Sequence, residues 1–217
     1  MKIKEAGFRE LYHQLIMFAI SDQDREVLKA FTGWETADCL LAYEYCDHMV
    51  GLTFEVLELG KKTSDGYEYY GGKDDVTVKY RFGAISDYDF CYVDKEQTIR
   101  SRHAHKIEVI HSTYAVEKKV EESRGLTILD EFRYKNCPDD VRVVFLKNGL
   151  KPEACWVTIT DMEDERHFKG KLLNEPYADF GVHMDDIISF GLGKLRNGNR
   201  VLYFDSINRD TGNDIME

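Results

Sequence analysis

The chain has 217 residues, 43% hydrophobic and 12% aromatic, enough apolar side chain for one large folded domain or two small ones. Lys and Arg total 29 against 40 Asp and Glu, a formal charge of -11; this repels phosphate backbones, and with no Lys/Arg cluster to offset it the composition argues against nucleic-acid binding. No run of about 18 apolar residues occurs, which argues against a transmembrane helix, and the amino terminus lacks a secretory core and cleavage site.

The pattern from Glu5 to Phe18, apolar at Phe8, Leu11, Tyr12, Leu15, Ile16 and Phe18, predicts a first amphipathic helix. Ser21 with Asp24 resembles a capping box, and Val27, Leu28 and Phe31 give the next short helix a buried side that ends at Gly33. The segment from Glu35 to Val50 satisfies both helix and strand templates. From Gly51 the period changes to two. Leu52, Phe54 and Val56 alternate, Ser64-Asp65-Gly66 is a turn, and Val76, Val78, Tyr80 and Phe82 alternate again. Phe90 with Tyr92, and Ile107 with Val109, predict two further strands. Ser112 to Ser123 returns to a helical composition that Gly125 would end. Leu126 to Asn136 predicts a second short helix broken by Pro138.

A new sheet then begins with Val141, Val143 and Phe145. It continues through Trp156 to Asp161, Phe168 to Asn174, Ile187 to Gly191 and Val201 to Phe204, with turns at Asn148-Gly149, Glu163-Asp164 and Asn197-Gly198. In the strand at Trp156, Val157 and Ile159 face one side and Trp156, Thr158 and Thr160 the other. The polar residues after Asn208 are expected to fray. The expected fold is α+β: amino-terminal helices with an antiparallel sheet over residues 1–111, then a β-rich module over 112–217.

The run from Leu150 to Leu192 resembles a small bacterial domain family of unknown function. The shared pattern is a Glu before a Trp-Val strand (Glu153, Trp156, Val157), a Gly-x-Leu-x-Asn-x-Pro hairpin (Gly170, Leu172, Leu173, Asn174, Pro176) and a Gly-Asp-x-Val-x-Phe strand (Asp185, Asp186, Ile187, Ile188, Phe190). Met184 stands where the pattern places Gly, and Leu173 is an extra residue. The resemblance covers about one-fifth of the chain. It implies a compact β-rich module, and some members look like immunity proteins encoded beside secreted toxins. A likeness at this level carries fold and context, not a catalytic site. The motif residues also have ordinary roles: Trp156 as a core anchor, Asn174 to Pro176 as a turn.

Residue chemistry points to binding more than to catalysis. His103 and His105, at i and i+2 of a strand, would share a face, and with His111 they raise a metal-dependent hydrolase as an alternative; Glu108 would face the other way, so a complete zinc set is missing. Cys39, Cys46 and Cys91 near His48 lack the features that lower a thiol pKa. The five cysteines, an odd number without a Cys-x-x-Cys pair, fit reduced thiols in a cytoplasm. Gly71-Gly72-Lys73 and Gly191-x-Gly193-Lys194 lack the spacing of phosphate loops. No cofactor is expected.

Tyrosine gives large contact area with a polar handle. Tyr67, Tyr69, Tyr70, Tyr88 and Tyr92, interleaved with Asp65, Glu68, Asp74, Asp75, Asp87 and Asp89, suggest an acidic aromatic surface. The acidic loops Asp161, Glu163, Asp164 and Glu165, and Asp185 with Asp186, are further candidates. The expectation is a cytoplasmic, non-catalytic, immunity-type protein that occludes a basic toxin domain through charge complementarity. A small-ligand regulatory or scaffold module is the remaining alternative.

Overall fold

A computed structural model describes residues 1–73, 75–93, 96–195 and 197–205. The chain is α+β, with antiparallel pairing dominant. It divides into two compact units, Met1–Ala115 and Val116–Glu217.

In the first unit, α1 (Phe8–Leu11) leads into β1 (Leu15–Ala19) and α2 (Arg25–Leu28) into β2 (Cys39–Asp47). There follow β3 (Gly51–Thr63), β4 (Gly66–Tyr70), β5 (Lys79–Arg81), α3 (Phe82–Ile85), β6 (Phe90–Tyr92), α4 (Glu96–Arg102) and α5 (Ala104–Thr113). The sheet runs β4-β3-β2-β1-β6, and β5 extends it by pairing with β3. The sheet has two apolar faces. One carries Phe18, Leu40, Phe54 and Val56, with Leu11, Leu28, Phe31 and Ile85 in the same core. The other carries Leu15, Leu41, Tyr43 and Leu57, covered by Ile99, Ile107 and Ile110 of α4 and α5.

Burial on both faces explains why β2 reads as a continuous apolar run: all nine residues are buried, as in a strand covered on each side. The same cause overturns the expected helix from Glu5 to Phe18. Only Phe8–Leu11 is helical; the chain turns at His13, whose φ of 58° is left-handed, and Leu15 to Phe18 enter the sheet buried on alternate faces. A bulge in β3 places Leu57 as an extra residue between the pairs Ala42 with Val56 and Leu41 with Glu58, so that Leu57 and Glu58 both face α4 and α5.

The expected strand at Ile107 and Val109 is instead α5. Its buried residues are Lys106, Ile107 and Ile110, with His103 just before it, the 3.6-residue period of one helix face. Buried cations here have partners. Lys106 Nζ donates to the Val76 carbonyl at 2.7 Å and lies 3.7 Å from Glu55.

In the second unit, α6 (Lys118–Gly125) precedes β7 (Arg133–Tyr134), β8 (Cys137–Leu146), β9 (Glu153–Asp164), β10 (His167–Leu172), β11 (Ile187–Lys194) and β12 (Arg200–Asp205). Strands β8 to β12 pair in sequence and β12 closes onto β8 in parallel, Phe204 beside Phe145, giving a five-stranded barrel with β7 on its flank. Val143, Val157, Phe168, Phe190 and Leu202 fill it. The helix expected from Leu126 to Asn136 is a single 3-10 turn, Thr127–Leu129, followed by β7. The expected fraying after Asn208 lies outside the described residues.

The resemblance residues acquire physical roles in this barrel. Trp156 is not a core anchor: it stands half-buried on the outer wall, edge-on to Tyr134, while Cys155 and Val157 point inward. Asn174 Oδ1 accepts the Trp156 amide at 2.8 Å, and Glu153 accepts the Tyr177 amide at 2.9 Å. Together they pin the loop between β10 and β11, which buries Phe180 against Phe145. Gly181, φ 78°, and Asp185, φ 75°, are left-handed in that loop, the second of them one position after the pattern's Gly.

Candidate functional site

An open groove of about 570 Å³ lies on the half of the first unit's helix-side face that Met17, Cys39 and Cys91 occupy. Strand alternation and register put these three there: Met17 pairs with Leu41 in β2 and with Cys91 in β6, and Cys39 lies two residues before Leu41 on the same face. Met17 and Cys39 are buried and Cys91 is exposed. The rim holds Tyr67 from β4, Lys62 from β3, and Asp38 and Asp89 from the residues that lead into β2 and β6.

Tyr67 sits beside Lys62 in the β3-β4 ladder and is 43% exposed. Tyr69, two residues on, leans inward and donates its hydroxyl to Met17 Sδ at 3.4 Å. Gly60 is required beneath it: a Cβ there would stand 2.5 Å from Cys39 Sγ and 3.2 Å from the Tyr69 ring. Asp38 accepts the Lys62 amide at 3.0 Å, and Asp89 is 3.7 Å from the amino-terminal ammonium.

Burial, with Asp38 and Cys91 adding to it, pushes the Cys39 thiol up to about 12. It therefore stays protonated and serves as floor, not as a nucleophile. The groove crosses β4, β3, β2, β1 and β6. Four strand spacings of about 4.8 Å make it roughly 19 Å across, the length of five or six residues of extended peptide.

The residues expected from sequence to form one surface separate here. Tyr67 and Asp89, from opposite edges of the sheet, line the two ends of the groove, and Asp65 and Glu68 are exposed on the adjoining β3-β4 hairpin. Tyr70 and Tyr88 pack against the opposite face, their hydroxyls 3.3 Å from the Gly33 carbonyl and 3.1 Å from Asp24. Tyr92 is half exposed and donates to the Glu10 carbonyl at 2.9 Å. Lys4 holds the Asp87 carboxyl below its ordinary range through a 2.5 Å bond. Asp75 is exposed, and Asp74 lies outside the described residues.

The acidic loops of the second unit have partners of their own. Glu163 pairs with Lys169 at 3.0 Å, Asp164 with His167 at 2.8 Å and Asp185 with Lys171 at 2.8 Å. Asp186 accepts the His183 amide and Asp161 the Met162 amide, and Glu165 is exposed.

The three histidines do not form a metal-binding set. The premise that His103 and His105 share a strand face fails, because both lie at the start of a helix. His103 is buried with Nε2 3.0 Å from Glu58 Oε1, His105 is exposed, and His111, two turns on, bonds the Tyr43 hydroxyl at 2.6 Å. Burial opposes ionisation of Glu58, but His103 and Arg102 prevail and hold its carboxyl below the ordinary value. Among the described residues no group of three His, Cys, Asp or Glu is poised to hold a metal ion.

Met17, Asp38, Cys39, Lys62 and Cys91 were not singled out as groove residues from sequence. Reading Leu15 to Ala19 as a strand would have aligned Met17 with Cys91; no local signal marks Asp38 or Lys62. No protein-family model, curated protein or solved structure matches the chain, and no helix among the described residues is long and apolar enough to cross a membrane.

Proposed function

We propose that the chain is a non-catalytic protein-binding module that receives an extended basic segment of another protein in the groove of its first unit. The observation that carries this reading is one groove lined by Tyr67, Asp38 and Asp89 over a floor of methionine and cysteine side chains. An aromatic wall and unbranched thioether adapt to a peptide's side chains, and carboxylates at the rim attract Lys or Arg. The groove is long for a small molecule and open at the surface, as a peptide track requires.

The immunity-type role follows from the same features together with the resemblance of residues 150–192. A cytoplasmic bacterial protein of charge -11 would meet a basic toxin domain at an electrostatically raised rate and block it by occlusion. Affinity capture from bacterial lysate tests this with two baits, the wild-type chain and a Tyr67→Ser/Asp89→Asn variant. The expected result is one stoichiometric basic polypeptide on the wild type and its loss on the variant; equal retention on both would refute the groove as the site.

A further inference from the structure

A second cleft, at one end of the barrel, differs in charge from the rest of the molecule. It has a volume of about 480 Å³ and is bounded by the 3-10 turn after α6, the β9-β10 turn and the ends of β11 and β12. Its apolar lining is Leu126, Ile128 and Leu192; Leu192 is buried and the other two half-buried. Among the described residues, three cations stand around it, Arg166, Lys194 and Arg200, against a single lining carboxylate, Glu165.

Two of the cations are positioned. Arg166 donates to the Leu192 carbonyl at 3.1 Å while its own carbonyl accepts the Leu192 amide at 2.8 Å, which clamps the β9-β10 turn to β11. Arg200 is drawn to Glu131, 2.7 Å away. Lys194 is exposed and has no carboxylate within ion-pair distance among the described residues. Gly193, which lines the cleft, lies under the Tyr203 ring, which a Cβ would approach to 2.8 Å.

We propose that this cleft binds a small organic anion, a carboxylate, sulfonate or phosphate ester with an apolar body. The body lies on Leu126, Ile128 and Leu192, and the anionic head faces Lys194 and Arg200, with Thr127 at the mouth. Concave apolar lining with a few converging charged groups is the usual composition of a small-ligand site. In a chain with eleven more acidic than basic residues, three cations around one apolar cleft favour an anion there. This site is independent of the peptide groove.

Amide-resolved NMR titration of the full chain tests it, using naphthalene-2-sulfonate and the uncharged 2-naphthalenemethanol as probes. The sulfonate is expected to shift the Thr127, Gly193 and Lys194 amides saturably and to bind about five-fold more tightly than the alcohol, the ratio that about 1 kcal/mol of partly exposed ion pairing provides. Lys194→Gln, on an exposed side chain, should lower sulfonate affinity toward that of the alcohol and leave the alcohol unchanged, while its spectrum reports that it is folded. Absent or non-saturating shifts at those amides, equal affinity for both probes, or an unchanged sulfonate affinity in the variant would each overturn the proposal.

Discussion

Gly170 in β10 offers the sharpest test of the barrel. A Cβ at this position would stand 2.5 Å from Val157 Cγ1, 2.6 Å from the Thr158 carbonyl oxygen and 3.1 Å from the Phe190 ring. The first and last belong to side chains fixed in the barrel core, and the second is backbone in the β9-β10 ladder, so none yields cheaply. Gly170→Ala is therefore expected near the upper end of overpacking costs, about 3 kcal/mol. For a unit of roughly 100 residues, at about 4–8 °C per kcal/mol, Tm should fall by about 12–24 °C. Gly125→Ala is the control. It lies at the end of α6 with nothing within 4 Å of its Cβ and no positive φ, so it should be neutral or stabilise by up to about 1 kcal/mol. Urea and thermal denaturation of both variants, followed by near-ultraviolet circular dichroism, provide the measurement. If Gly170→Ala stays within about 0.5 kcal/mol of wild type, the close packing of β9, β10 and β11 described here is wrong.

Arg124 and Asp139 form a buried bidentate bridge, Nε to Oδ1 at 2.8 Å and Nη2 to Oδ2 at 2.6 Å; Asp139→Ala should cost about 3 kcal/mol, because it removes the buried partner and leaves the half-exposed Glu121, 3.0 Å from Nη1, to face the guanidinium, whereas a loss under about 1 kcal/mol in urea titration would contradict that burial. His183 is raised above 6.5 by Glu175, whose own carboxyl the Met184 amide and His183 hold low. The raised histidine contributes below its ordinary pKa and loses that contribution as pH rises through the folded value; the lowered glutamate contributes above its ordinary pKa and loses it as pH falls. The pair is thus complete in mildly acidic solution, and NMR titration should show a His183 midpoint above 6.5 that Glu175→Gln brings down. Iodoacetamide should modify exposed Cys91 in the native protein long before Cys39, which peptide mapping would show; comparable labelling would contradict the closed floor of the groove.

Barrel strands were legible because one side of each faces the core and the other water. Val141, Val143 and Phe145, or Cys155, Val157 and Ile159, announce themselves by period two. Leu15 to Phe18 did not, since burial on both sheet faces erases alternation and leaves a run that a helix template also accepts. Helix α5 was missed for the converse reason. Its buried stripe includes His103, 3.0 Å from Glu58, and Lys106, 3.7 Å from Glu55, and a search for apolar periodicity skips such residues. The candidate site was half legible: composition drew attention to Tyr67 and Asp89, but their sharing one groove depends on five strands lying in the order β4-β3-β2-β1-β6, and Tyr70 and Tyr88 of the same stretch went to the opposite face.

The central claim is most directly tested by the binding kinetics of the captured basic partner with wild type and with Tyr67→Ser/Asp89→Asn, at about 0.1 M and about 1 M salt, where the screening length shrinks from about 10 Å to about 3 Å. The account predicts an association rate at least about ten-fold slower at high salt and, for the variant, an affinity at least about thirty-fold weaker, as loss of an aromatic contact together with a carboxylate produces. An association rate indifferent to salt, with the variant binding as tightly as wild type, would contradict it.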